Sequence, residues 1–168
     1  MARVYVSVGS NIEPLQHIRA GLTDLQQHYG TLQLSSVYES AAVGFTGENF
    51  YNLVLAFETK QTVQQVNQLL HDIEARHGRT RDGQRYSART LDLDLILYDN
   101  LVLQDKANKV EVPRGEIEKY AFVLLPLAEL IPTLKHPILG KTYAELWDNF
   151  QGKEKQALWK VDIALLAD

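Results

Sequence analysis

From Leu91 to Leu97 the chain reads Leu-Asp-Leu-Asp-Leu-Ile-Leu, whose first five residues alternate with a period of two that an extended strand satisfies and a helix does not. On such a strand Leu91, Leu93 and Leu95 point into a core while Asp92 and Asp94 share the opposite face. Two carboxylates side by side repel when both are ionised, so one is protonated or a cation stands between them. Divalent metal and arginine are the candidates. Arg76, Arg79, Arg81, Arg85 and Arg89 all precede the pair, with Asp82 the one acid among them. A basic run leading into paired carboxylates suits a metal-nucleotide site, with Mg²⁺ on the carboxylates and guanidinium forks on the phosphates. The same residues also fit a solvated sheet face followed from an exposed basic loop, so both readings stand at this level.

The 168 residues suit one domain, 1–168, long enough to bury a proper core, with 151–168 as a C-terminal extension of unassigned role. Net charge is −4, which argues against bulk binding to nucleic acid or to an anionic membrane. The absence of cysteine excludes disulfides, thiolate chemistry and Cys-based zinc sites. Met-Ala-Arg-Val-Tyr-Val-Ser-Val enters directly into strand alternation without a long apolar run, and a cytoplasmic location is expected.

Val4 to Val8 predicts a strand ending in a turn at Gly9-Ser10-Asn11. Leu15, Ile18, Leu22 and Leu25 recur at helical spacing, with Pro14 in the first turn and Gly30 past the end. Leu32 to Tyr38 and Tyr51 to Glu58 predict two further strands around a small-residue loop, 40–47. Thr62 and Gln65 form a capping-box pattern ahead of Val63, Val66, Leu69, Leu70 and Ile73, a helix stopping at Gly78. With Leu91 to Tyr98 the order is β-α-β-β-α-β. It predicts an α+β fold of the ferredoxin-like, split βαβ sandwich type, an antiparallel sheet with helices on one face plus C-terminal additions. A short helix is expected around Tyr143 to Phe150.

Gly140-Lys141-Thr142 imitates the end of a phosphate-binding loop, but Lys135 stands where its first glycine belongs and no strand leads in. His71 and His77 are six residues apart and do not share a helix face, which disfavours zinc. Phosphate chemistry here needs another cradle.

Ser87-Ala88-Arg89-Thr90-Leu91-Asp92-Leu93-Asp94-Leu95-Ile96, preceded by Glu74 and by Gly78-Arg79-x-Arg81, resembles the signature of the 6-hydroxymethyl-7,8-dihydropterin pyrophosphokinases. The resemblance runs over roughly residues 3–150, through Val8-Gly9-Ser10-Asn11, Ser35-Ser36-Val37-Tyr38, Phe50-Tyr51-Asn52 and Phe122 to Leu127. It implies transfer of pyrophosphate from ATP to the hydroxymethyl group of a reduced pterin, with release of AMP, in folate biosynthesis. By the same resemblance Asp92 and Asp94 hold two Mg²⁺ ions, and Arg79 and Arg89 bind the phosphates. Arg81, Arg85 and Tyr86 lie on a loop that closes over ATP, and His71 and Glu74 lie where the second helix faces the nucleotide. Asn52 reads the pterin edge, Phe50 and Phe122 stack on its faces, and the backbone around Ser40 and Val43 completes the rim. The implied partners are ATP and a pterin, without nucleic acid or membrane, and a monomer is expected.

The chain departs from the pattern in places. Pro113-Arg114 replaces the usual Pro-His, Tyr120 stands where an arginine is usual, Ser40-Ala41-Ala42 replaces Thr-Pro-Pro, and Tyr86 replaces a tryptophan. Tyr120 carries no fixed charge, and Arg114 is expected to offset part of that loss by binding ATP. Two rivals remain at this stage: a diverged paralogue that binds ATP or another pterin with little turnover, and an RNA-recognition module, the latter disfavoured by the acidic balance and the missing aromatic strand motif.

Overall fold

The computed structural model describes residues 1–41, 48–78 and 90–166. In chain order the elements are β1 (Ala2–Ser10), α1 (Pro14–Tyr29), β2 (Gln33–Leu34), β3 (Val37–Ser40), β4 (Phe50–Thr59), α2 (Val63–Arg76) and β5 (Asp92–Tyr98). After them come β6 (Leu103–Asp105), β7 (Val110–Val112), α3 (Glu116–Lys119), α4 (Ala121–Leu130), α5 (Tyr143–Asp148) and β8 (Leu158–Val161). The main sheet runs β5-β1-β4-β3-β8 with β2 also on β4, and its pairs are antiparallel. Its first four strands have the order of the ferredoxin-like fold that the sequence predicts.

The predicted second strand is divided. Between the pairs Leu34↔Leu55 and Tyr38↔Asn52 one side advances four residues and the other three, which is a bulge. Ser35 bridges it, its amide donating to the Val54 carbonyl and its hydroxyl accepting from the Val54 amide, both at 2.9 Å. Thr62 and Gln65 form the predicted capping box on α2, a device that stabilises a helix start by about 1 kcal/mol. Pro14 opens α1, and Gly30, at φ 78°, ends it in a backbone region that suits glycine.

Strand alternation sends Val4, Val6 and Val8 with Leu53 and Leu55 to one side, where they pack on Ile18, Leu22 and Leu25 of α1 and Val66, Leu70 and Ile73 of α2. The intervening residues Tyr5, Val54 and Ala56 face the other side and pack on Val123, Leu124 and Leu127 of α4. The C-terminal additions thus cover part of the second face. A bulge between Tyr5 and Val6 makes Leu95 and Leu97 their partners, so Ile96 is the extra residue and both Ile96 and Leu97 enter the second core. Apolar on nearly all sides, α4 carries Pro126 within it and is tied to the sheet by Glu129, which accepts from the Ser36 amide and hydroxyl and the Tyr38 hydroxyl.

The last residues fold back over the rest. Gln156 accepts from the Ala121 amide and donates to the Lys119 carbonyl, each at 2.9 Å, and so clasps the α3–α4 junction. β8 extends the sheet beyond β3, the Arg19 guanidinium donates to the Ala164 carbonyl, and Leu165 is buried in the first core.

Between α4 and α5, His136 is 2% exposed and its Nδ1 accepts from the Ile138 and Leu139 amides, both at 3.2 Å. An imidazole that accepts at Nδ1 is neutral with its proton on Nε2. Burial holds its pKa below the ordinary 6.5, although Glu118 nearby pulls the other way. The unfolded ring takes up a proton before the folded one does, so this stabilisation is complete above pH 6.5 and declines as pH falls from there through the lower folded value. The His136 ring is expected to titrate with a midpoint below 6.5 by NMR; a midpoint at or above 6.5 would rule out the acceptor role.

Candidate active site on the open end of the second face

α4 covers only one end of that face. At the other end the sheet register forms a polar row: Asp92 of β5 opposite Gly9 of β1, Gly9 opposite Asn52 of β4, and Asn52 opposite Tyr38 of β3. One step along, Asp94 lies opposite Ser7, and Phe50 opposite Ser40. Directly opposed residues share a face, so Asp92, Asp94, Asn52, Phe50 and Ser40 all belong to this surface. Asn52 is 4% exposed, whereas Asp92 and Asp94 are half-buried.

Gly9 is what lets the row close. A Cβ built on it would lie 2.6 Å from Asn52 Oδ1, so the amide rests in the space that any larger residue would fill. The two residues after it brace the borders of the site. Ser10 donates to the Thr90 carbonyl at 2.5 Å, immediately ahead of β5, and Asn11 donates to the Glu48 carbonyl at 3.3 Å, ahead of β4. Both are buried polar residues. Residue type predicts a turn here, whereas Gly9 and Ser10 are the last residues of β1, and the bracing role depends on contacts 37 and 80 residues away.

Glu74 is 1% exposed, and its Oε2 accepts from the Leu93 amide at 2.8 Å. β5 is an edge strand, and the Leu93 amide points away from β1; Glu74 of α2 satisfies it. This carboxylate stands behind the residue between the two aspartates and fixes their strand, a task distinct from the nucleotide contact expected for it. His71, one helical turn earlier on α2, is half-buried.

Arg114 arrives from the chain following β7. Its amide donates to the Ile96 carbonyl at 3.0 Å, and its Nη2 lies 2.9 Å from Glu116 Oε1 and 3.9 Å from Asp94 Oδ1. Burial alone would lower its pKa, but Asp94, Glu116 and Glu111 more than reverse this, so the guanidinium keeps its charge. Tyr120 and Phe122 stack with centroids 5.1 Å apart and planes at 24°, forming an aromatic wall at the start of α4. Tyr120 thus contributes a ring where a cation is usual.

Arg79, Arg81, Arg85, Tyr86, Arg89 and Val43 lie outside the described residues. Among the described residues no cluster of three or more metal-ligating side chains occurs, and no helix is long and apolar enough to cross a membrane. Two carboxylates on one face nevertheless fit Mg²⁺, which takes hard oxygen ligands and ordinarily completes its shell with substrate phosphates and water. The suspected phosphate-loop imitation is structural: Thr142 Oγ1 accepts from the Glu145 amide at 3.1 Å and caps α5.

A split βαβ sheet whose open end joins a carboxylate pair, a buried amide and a charged guanidinium has the parts that a small metal-dependent phosphoryl-transfer enzyme needs. The chain belongs to the 7,8-dihydro-6-hydroxymethylpterin-pyrophosphokinase (HPPK) family, whose model matches residues 5–132. Among its relatives, the 2-amino-4-hydroxy-6-hydroxymethyldihydropteridine pyrophosphokinase of Aquifex aeolicus is 33% identical over 147 residues, covering 86% of this chain and 90% of that protein. The enzyme of the same name from Pseudomonas aeruginosa is 37% identical over 139 residues, covering 80% and 84%. The fold matches crystal structures of Plasmodium falciparum HPPK-DHPS, for the wild type with a TM-score of 0.68 at 12% identity over 92% of this chain. The chain spans 42% of that longer protein. Enzymes of the family are diphosphokinases that use ATP as co-substrate.

Proposed function

We propose that this protein transfers the terminal pyrophosphoryl group of ATP to the hydroxymethyl group of 6-hydroxymethyl-7,8-dihydropterin, releasing AMP. The observation that carries the reading is the row Asp92-Gly9-Asn52 across three adjacent strands. Two strand spacings separate the carboxylate from the amide, roughly 10 Å, and the residue between has no side chain. A flat pterin held at Asn52 can therefore extend its hydroxymethyl arm over Gly9 toward phosphates held at Asp92 and Asp94.

In this reading the Asn52 amide offers a donor and an acceptor to the alternating ring edge. Phe50, at the end of the same strand face, and Phe122, in the aromatic wall, supply the stacking surfaces, and the backbone around Ser40 and Val43 closes the rim. Asp92 and Asp94 hold two Mg²⁺ ions; when bound, these neutralise the triphosphate and stabilise charge at the α–β bridging oxygen. Arg114 adds a fixed cation on that side, complemented by Arg79 and Arg89, and Arg81, Arg85 and Tyr86 belong to a segment that excludes water from ATP. Glu74 holds the strand of the aspartates in place, with His71 beside the nucleotide. The reading extends to one domain over 1–168, acting as a monomer in the cytoplasm, where ATP and Mg²⁺ are at hand.

ATP labelled at its β-phosphorus tests the reaction type. The label is expected in the pterin product with unlabelled AMP left behind; labelled ADP would mean single-phosphoryl transfer and would overturn the reading.

A further inference from the structure

The stretch 151–168 lies beyond the residues that the family model matches, and the proposed reaction gives it no task. It nevertheless reaches the joint between α3 and α4. That joint is one extended residue, Tyr120, at φ −123° and ψ 124°. The Tyr120 amide donates to the Glu116 carbonyl and its carbonyl accepts from the Val123 and Leu124 amides, so the helices hold both of its own backbone groups. The Lys119 carbonyl that ends α3 and the Ala121 amide that begins α4 are helix-end groups, which need partners from outside their helices. One side chain supplies both: Gln156 Oε1 accepts from Ala121 and Nε2 donates to Lys119, each at 2.9 Å. The turn that presents Gln156 is closed by the Lys155 and Gln156 amides donating to the Gly152 carbonyl. Gly152 is closely fitted, since a Cβ there would lie 2.9 Å from Gln156 Nε2 and 3.0 Å from Phe150 Cε2, and Phe150 packs on the second core.

We infer that Gln156 is a positioning residue for pterin binding, which clasps the backbone on both sides of Tyr120 and so fixes the joint from which the Phe122 ring is presented. The inference rests on the proposed stacking role of Phe122 and deepens it. Phe122 is the second residue of α4, and its ring stacks on that of Tyr120, so the direction of both rings follows the backbone of the joint. Two residues beyond Gln156, Leu158 of β8 pairs with Ser40, which pairs in turn with Phe50. One segment therefore braces both proposed stacking residues. A joint that is fixed before the ligand arrives spares pterin binding the cost of ordering it. The carboxylates proposed for the nucleotide sit on β5, the opposite edge of the sheet from β8, and their placement does not depend on the clasp.

The test is the affinity of the full chain for 6-hydroxymethyl-7,8-dihydropterin, measured by calorimetry with Mg²⁺ and a non-hydrolysable ATP analogue, beside the affinity for the analogue itself. Gln156→Ala is expected to weaken pterin binding roughly tenfold, what two neutral hydrogen bonds are worth near the lower end of their range, and to leave the affinity for the analogue unchanged. In a Phe122→Leu chain the same change is expected to cost nothing further. Unchanged pterin affinity in Gln156→Ala would overturn the inference. So would an equal loss of pterin and nucleotide affinity, since Gln156 would then serve only the stability of the fold, or a loss of full size in the Phe122→Leu background. If Phe122→Leu alone leaves pterin affinity unchanged, the stacking assignment fails and the inference falls with it. Absence of pterin binding by the unaltered chain would overturn the proposed function itself.

Discussion

Asp94→Ala is expected to lower kcat roughly a thousandfold or more, because stabilisation by a bound metal of charge developing on phosphate oxygens is worth several kcal/mol. Asp92→Ala should behave alike, since the two share one sheet face and the sequence spacing leaves neither able to take over both positions. The folded state should survive either change. Asp94 is a third exposed, and the core residues on both sides of it, Leu93 and Leu95, point to the opposite face. Asp94→Asn separates charge from shape, and it is expected to be nearly as inactive as the alanine variant. Steady-state turnover together with thermal melting decides the matter. Full activity in either aspartate variant would remove the metal site from this face.

The second large effect is expected from a residue that has no side chain. Gly9→Ala places a methyl group 2.6 Å from Asn52 Oδ1, closer than atoms can approach, and the Asn52 amide must turn away. Asn52 is buried in a central strand between β1 and β3, so it has little freedom to return by another path. If Asn52 reads the pterin edge, kcat/KM for the pterin should fall by roughly a hundredfold or more, because buried polar groups on the ligand then lose their partners. ATP affinity should change little, since the carboxylates lie on the neighbouring strand. Asn52→Ala provides the comparison and should show the same asymmetry. A Gly9→Ala enzyme with undiminished pterin kcat/KM would show that Asn52 has no part in pterin recognition.

The parts of this structure that were legible in the sequence are those set by short-range periodicity. The alternation of Val4 to Val8 and of Leu91 to Leu95, the helical spacing of Leu15 to Leu25, and the Thr62–Gln65 cap each appear as predicted, whereas the bulge at Ile96, which turns Leu97 to the second core, does not follow from the pattern. The break at Ser35 was not legible, because a serine that bonds its neighbour strand at both amide and hydroxyl looks in sequence like any polar strand residue. β8 escaped notice for a different reason. It is a four-residue edge strand with both ends exposed to intermediate degree, too short to show a period. α4 reads as an apolar run interrupted by Pro126, and only the second core explains why such a segment is helical.

At the candidate site, the aspartate pair stood out by residue type and spacing and Asn52 by the family resemblance, whereas what sets them on one face is long-range register. Glu74 was expected near the nucleotide; its bond to the Leu93 amide was not legible, because it depends on β5 being an edge strand. Gly9, Ser10 and Asn11 looked like a turn, and their role emerges only where the register brings Asn52, Thr90 and Glu48 to them. Arg114 was expected to replace a missing cation. Its geometry adds Glu116, which no spacing rule would select.

In the proposed reaction the open end of the second face joins a nucleotide site to a pterin site. The most direct test of this reaction is AMP release from ATP and Mg²⁺, followed by mass spectrometry with and without 6-hydroxymethyl-7,8-dihydropterin. The expected result is AMP and a pterin diphosphate in equal amounts, formed only when the pterin is present. ATP binding without AMP, or AMP formed at the same rate whether or not the pterin is added, would contradict it.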